Sequence, residues 1–187
     1  MIEVEKNRIQ VEVMTKMEEI KNGHQQKESF LSRFLRPFVS AKPQNNKLKV
    51  LICEDSEILC KIISKIMEKK GFDVTATETP AHFLTKERLA DFDFIITDNN
   101  MPYMMGTQFT EYVEKELKLE LPMYLYSGDP DLKNEWPLTK VRRGIFEKGS
   151  GFEAVLQKIL TDFNNYKDEM NAKLEMKLAI TANTLMA

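Results

Sequence analysis

Leu48-Lys49-Val50-Leu51-Ile52-Cys53-Glu54-Asp55 is the stretch that decides how the 187-residue chain reads. Its short apolar run predicts a strand over about 48–53 that passes directly into two acids. Downstream the pattern recurs. Apolar runs at about 73–77, 93–97, 122–126 and 144–147 alternate with helix-length amphipathic segments at about 56–70, 80–89, 106–119 and 130–141. This alternation predicts βαβ units and a parallel sheet, hence an α/β fold. Gly71 closes the first helix, and Thr79-Pro80 opens the second with a capping hydroxyl followed by proline. Trp136-Pro137 interrupts the last segment and predicts a kink or break there.

Upstream of this stretch the text lacks strand-like runs. Ile9, Val13, Met17 and Ile20 have helical spacing, Phe30, Phe34 and Phe38 form a second stripe broken by Pro37, and Lys42 to Lys47 reads as a linker. At the other end, Phe152 onward contains neither glycine nor proline. Leu156, Ile159, Phe163, Tyr166, Met170, Leu174, Leu178 and Leu185 form one helical stripe. A single helix there would reach about 50 Å at 1.5 Å per residue, roughly three times the usual length. The expected organisation is a helical extension and linker over 1–46, a main domain over 47–161, and a helical extension over 162–187 that continues the last helix of that domain.

Composition narrows the function. With 27 basic and 29 acidic residues the net charge is −2, so no excess of positive charge points to nucleic acid. The longest charge-free stretch, Asn99 to Thr110, is too short to span a bilayer, so no membrane role is expected. Met1 to Lys6 leads into no apolar segment of a secretory signal, which makes the cytosol the expected compartment. There Cys53 and Cys60 read as small buried hydrophobes. Neither His24 nor His82 has a companion at ligand spacing, so both read as surface residues.

In an open parallel sheet, ligands collect beyond the carboxyl ends of the strands. Those ends are Glu54-Asp55, Thr97-Asp98, Ser127-Gly128-Asp129 and Glu147-Lys148. Each has an ordinary reading as a turn, cap or solvated residue when taken alone. Together they bring acids, a hydroxyl and an amine to one edge, with the three carboxylates Glu54, Asp55 and Asp98 in one pocket. Carboxylates so placed need a cation or a shifted pKa, and Mg²⁺ suits hard oxygen donors best.

Glu54-Asp55, Asp98 within Asp98-Asn99-Asn100-Met101-Pro102 and its Gly106, Ser127 and Lys148 together resemble the response-regulator receiver domain. The resemblance covers about Lys47 to Thr161. It implies a doubly wound, five-stranded parallel sheet, flavodoxin-like, with order 2-1-3-4-5. It also implies that Asp98 accepts a phosphoryl group from a histidine kinase. Mg²⁺ would be held by Asp55, Asp98 and the backbone carbonyl of Asn100, with Glu54 joining through a metal-bound water. Lys148 would meet a phosphate oxygen as a point charge, and the Ser127 hydroxyl would bond another. Such a protein assists its own phosphorylation and dephosphorylation without turning over an independent substrate.

Two departures stand out. The family commonly has proline after its lysine, where Gly149 stands here, and an aromatic residue three positions before it, where Ile145 stands. Phe146, by strand alternation, points to the opposite face. The expected function is a stand-alone response regulator whose output is a changed contact with a downstream protein or a rearranged homodimer made through the helical extensions, with no DNA-binding role. A phosphorylation-independent scaffold and a phosphorelay intermediate are the alternatives.

Overall fold

The computed structural model describes residues 47–129, 131–132, 136–149 and 151–186. The helical stripes expected within 1–46, and His24 with them, lie outside the described residues. Five strands, β1 (Lys49–Cys53), β2 (Asp73–Thr77), β3 (Phe94–Thr97), β4 (Met123–Ser127) and β5 (Arg142–Glu147), form one parallel sheet in the order β2-β1-β3-β4-β5. The crossovers carry α1 (Glu57–Lys69), α2 (Lys86–Leu89) and α3 (Gly106–Lys115), and α4 (Phe152–Met186) follows β5. This is the α/β, doubly wound order expected.

β1, β3 and β4 are apolar at successive positions because both faces of the sheet are covered. Val50, Ile52, Phe94, Ile96, Tyr124 and Tyr126 point to one side, where they meet Ile63 and Met67 of α1 and Leu156, Ile159 and Phe163 of α4. The alternate residues Leu51, Cys53, Ile95 and Met123 point to the other, where they meet Leu89 of α2 and Phe109 and Val113 of α3. Burying side chains of this size stabilises the fold by about 1.5–3 kcal/mol each. Cys53 and Cys60 are both buried free thiols, as their apolar setting suggests.

Three helix expectations need correction. The segment read as a helix over 80–89 is instead a 3-10 turn, Pro80–Phe83, followed by the four-residue α2. Thr85 separates them: its backbone is extended, and its hydroxyl accepts from the Arg88 N–H and caps a fresh start. The helix read over 106–119 ends at Lys115, because Lys118 takes φ +52 and turns the chain back. Of the segment read as a helix over 130–141, residues 136–141 are not helical. Trp136 N–H still reaches Leu132 O at 3.0 Å, but Pro137 has no N–H with which to continue.

β5 carries a bulge that sequence alternation does not reveal. Met123 pairs with Arg142 and Tyr124 with Gly144, so Arg143 is the extra residue. The kink sends neighbouring arginines to different helices. Arg142 Nε lies 3.0 Å from Glu114 Oε2 of α3. Arg143 forks onto Asp162 of α4, with Nε 2.9 Å from Oδ2 and the second nitrogen 2.8 Å from Oδ1. Tyr124 OH donates to the same Asp162 Oδ2 at 2.8 Å, and Arg143 stacks over the Tyr166 ring. This network fastens the first half of α4 to β4 and β5. Beyond Met170 the helix runs on without a break, with Leu174 and Met176 exposed.

Candidate functional site

Four strand ends supply the side chains. Leaving β1, the chain puts Glu54 inward at 2% exposure and Asp55 outward. The Glu54 N–H donates to Thr77 O at 2.9 Å and the Asp98 N–H to Cys53 O at 2.8 Å, which ties the ends of β2, β1 and β3 together. Asp98 follows β3 directly and is 6% exposed. Ser127 ends β4, and its carbonyl accepts from the Lys148 N–H at 2.9 Å, so the end of β4 also sets where Lys148 begins.

These side chains meet. Lys148 Nζ lies 2.8 Å from Glu54 Oε2 and 2.9 Å from Asp98 Oδ2. One oxygen each of Glu54, Asp55 and Asp98 lies within 4.8 Å of the other two. Burial raises the Glu54 carboxyl pKa above its ordinary value, against the pull of Lys148. Burial alone would lower the Lys148 ammonium; its hydrogen bonds to Glu54 and Asp98 outweigh that and leave it raised. Three carboxylates against one ammonium leave two negative charges unmatched at the pocket. A compact divalent cation with a preference for hard oxygen donors fits this set.

Ser127 is 1% exposed and its Oγ accepts from the Asp129 N–H at 3.3 Å; among the described residues no hydrogen bond joins that hydroxyl to the side chain of Asp98 or Lys148. Asn100 is exposed, with its Oδ1 accepting from Asn99 Nδ2 at 3.4 Å. Gly106 has a steric role: a Cβ there would lie 2.1 Å from the Asp98 carbonyl oxygen. The sequence reading missed Asn99. It is fully buried, its N–H donates to Asp98 Oδ1 at 2.7 Å, and its side chain accepts from the Thr107 N–H at 3.1 Å. An uncharged residue beside an acidic motif gives little sign of such a role; the only hint is a polar amide placed between two buried segments.

The family model described as "Response regulator receiver domain" matches residues 50–142. The chain carries a response regulator receiver domain. Among curated proteins, the autoinducer 2 sensor kinase/phosphatase LuxQ of Vibrio cholerae is 26% identical over 148 residues, 75% of this chain. The match spans only 16% of that protein's length. Chemotaxis protein CheY-3 of Vibrio cholerae is 28% identical over 103 residues, 54% of this chain and 78% of that protein. The solved structure of chemotaxis response regulator CheY4 of Vibrio cholerae matches with a TM-score of 0.55 at 24% identity, over 63% of this chain and 99% of that one, and shows the shared fold.

Within this receiver domain both departures from the family pattern have structural counterparts. Gly149 takes φ +122, a conformation that a proline ring excludes. Ile145 packs against the cluster of Leu125, Leu132 and Trp136, whereas Phe146 joins Tyr124 on the α4 side. The two side chains therefore face opposite ways, as alternation implied. Gly144 leaves room for the Phe146 ring: a Cβ there would lie 3.0 Å from it. Among the described residues no helix is long and apolar enough to cross a membrane.

Proposed function

We propose that the chain is a cytoplasmic two-component response regulator that accepts a phosphoryl group on Asp98 from a histidine kinase. The observation that carries this reading is Lys148 Nζ held between the Glu54 and Asp98 carboxylates, with Asp55 alongside. In the transfer, an Asp98 carboxylate oxygen forms the new bond to phosphorus as the phosphorus–nitrogen bond of phosphohistidine breaks. The electron pair of that bond leaves with the imidazole. Asp55, Asp98 and the Asn100 carbonyl would hold Mg²⁺, with Glu54 acting through a water. Bound Mg²⁺ supplies positive charge against the transferring oxygens. Lys148 gives up part of its pairing with Asp98 to face a phosphoryl oxygen, and the Ser127 hydroxyl turns to donate to another. The receiver domain needs no further covalent chemistry, because positioning and electrostatics dominate phosphoryl transfer.

The receiver spans 47–161 in this reading, flanked by helical extensions over 1–46 and 162–187. Output is a changed contact with a downstream protein or a rearranged homodimer, not DNA binding. Support for the dimer comes from α4, which continues past Met170 with Leu174 and Met176 exposed, apolar area that a second copy would cover. Ile145 and Gly149 favour a second reading, a scaffold that keeps the fold without phosphotransfer. One experiment separates the two: incubation with acetyl phosphate and Mg²⁺, read by intact mass. A gain of about 80 Da that disappears in Asp98→Asn supports the acceptor. No gain, or a gain that survives the substitution, removes it.

A further inference from the structure

Asn99 follows the acceptor directly and is 0% exposed, yet it is an amide with two donors and an acceptor to satisfy. Each of its polar atoms makes at least one hydrogen bond, within the loop after β3 and the first turn of α3. Its N–H donates to Asp98 Oδ1 at 2.7 Å. Its carbonyl accepts from the Gly106 N–H at 2.9 Å and the Met101 N–H at 3.2 Å. Its side-chain oxygen accepts from the Thr107 N–H at 3.1 Å, and its amide nitrogen donates to Asn100 Oδ1 at 3.4 Å. The bond to Thr107 fills a gap in α3. The first turn of a helix has unpaired N–H groups, and the Met105 side chain at the N-cap has no oxygen to offer them. Asn99 provides that cap from eight residues upstream.

We infer that Asn99 is a positioning residue for the acceptor: its side chain fastens the loop 98–105 to the start of α3 and so holds its own N–H on Asp98 Oδ1. With Oδ1 engaged, Oδ2 is the oxygen turned to Lys148 at 2.9 Å. The same tie fixes the main chain at Asn100, whose carbonyl is assigned to the cation. The inference rests on the proposed role of Asp98. A mere cap would affect stability alone; a positioning residue also sets the orientation of the carboxylate and the rate of transfer.

Asn99→Leu keeps the size of the side chain and removes both side-chain bonds. In the metal-free protein, the residue 99 amide is expected to lose its hydrogen-exchange protection and its downfield proton shift. At a temperature where the variant is folded, phosphoryl uptake from acetyl phosphate is expected to fall by about tenfold or more, and calorimetric Mg²⁺ affinity to weaken several-fold. Thr110→Val is the control: it removes a buried hydroxyl that bonds Gly106 O within α3, and should lower stability while leaving uptake intact. If Asn99→Leu does not fold, Asn99→Ser, which retains a capping oxygen, is expected to show the same changes at smaller size. Wild-type amide protection, uptake and Mg²⁺ affinity in a folded variant overturn the inference. Should the wild type itself take up no phosphoryl group, the acceptor reading fails, and the metal-free amide measurement still decides whether Asn99 orients Asp98.

Discussion

Replacing Gly106 by alanine asks how tightly α3 is pressed onto the acceptor. The new Cβ would lie 2.1 Å from Asp98 O, 3.0 Å from its carbonyl carbon and 3.0 Å from Leu125 Cδ2. Ordinary contact starts at 3.4 Å, so the helix and the Asp98 backbone must separate by about 1.3 Å. The main obstacle is backbone, so no rotamer change relieves it. Overpacking of this kind costs about 1–3 kcal/mol and sometimes more, whereas the helix preference of alanine over glycine returns at most about 1 kcal/mol. The separation would also strain the bond from the Gly106 N–H to Asn99 O. A net loss of about 1–3 kcal/mol is expected from urea unfolding followed by circular dichroism and by Trp136 emission. Gly128→Ala is the comparison. A Cβ there meets nothing within 4 Å, so its stability should stay within about 0.5 kcal/mol of wild type or rise slightly. A Gly106→Ala protein as stable as wild type would refute the close approach and the placement of α3 against Asp98.

Arg143 and Asp162 form a forked, partly buried pair, so a double-mutant cycle with Arg143→Met and Asp162→Asn should return a coupling of about 1–2 kcal/mol in thermal unfolding; additivity would mean the pair is not formed. Burial, and then its bond to Asp162, raises the Tyr124 phenol above the ordinary 10.0. Above about pH 10 the unfolded chain releases that proton while the folded chain keeps it, so stability falls as pH rises, by at most about 1.4 kcal/mol per unit for this group. Tyr124→Phe should flatten the alkaline limb without abolishing it, because Tyr126 and Tyr166 are shifted the same way; an unchanged slope would contradict the assignment. Deleting residues 171–187 removes the part of α4 beyond Met170, and light scattering should then show half the mass of the full chain; an equal mass would exclude a dimer made through that segment.

The parallel sheet was legible because β1, β3 and β4 carry unbroken buried runs, Val50–Cys53, Phe94–Ile96 and Met123–Tyr126, which few arrangements other than a sheet covered on both sides can satisfy. The acidic edge was legible for a related reason: charges that abruptly end an apolar strand mark where it stops, and Glu54 and Asp98 stand at such ends although both are buried. What escaped depended on competition between near-equal local choices. Thr85 can continue a helix or cap a new one, and its extended backbone took the second course. The Arg143 bulge leaves no trace in composition, because one inserted residue changes which side chain faces α4 without changing the residue types. Asn99 was overlooked because its importance lies in where the Thr107 and Gly106 N–H groups point, which only the folded loop determines.

The most direct test is a crystal structure of the protein grown with Mg²⁺ and beryllofluoride, a phosphoryl mimic. The fluoride adduct is expected on the Asp98 carboxylate, with Mg²⁺ beside Asp55, and with Lys148 and Ser127 turned onto the fluorine atoms. A structure with the adduct elsewhere, or with that carboxylate still bare at saturating reagent, would contradict it.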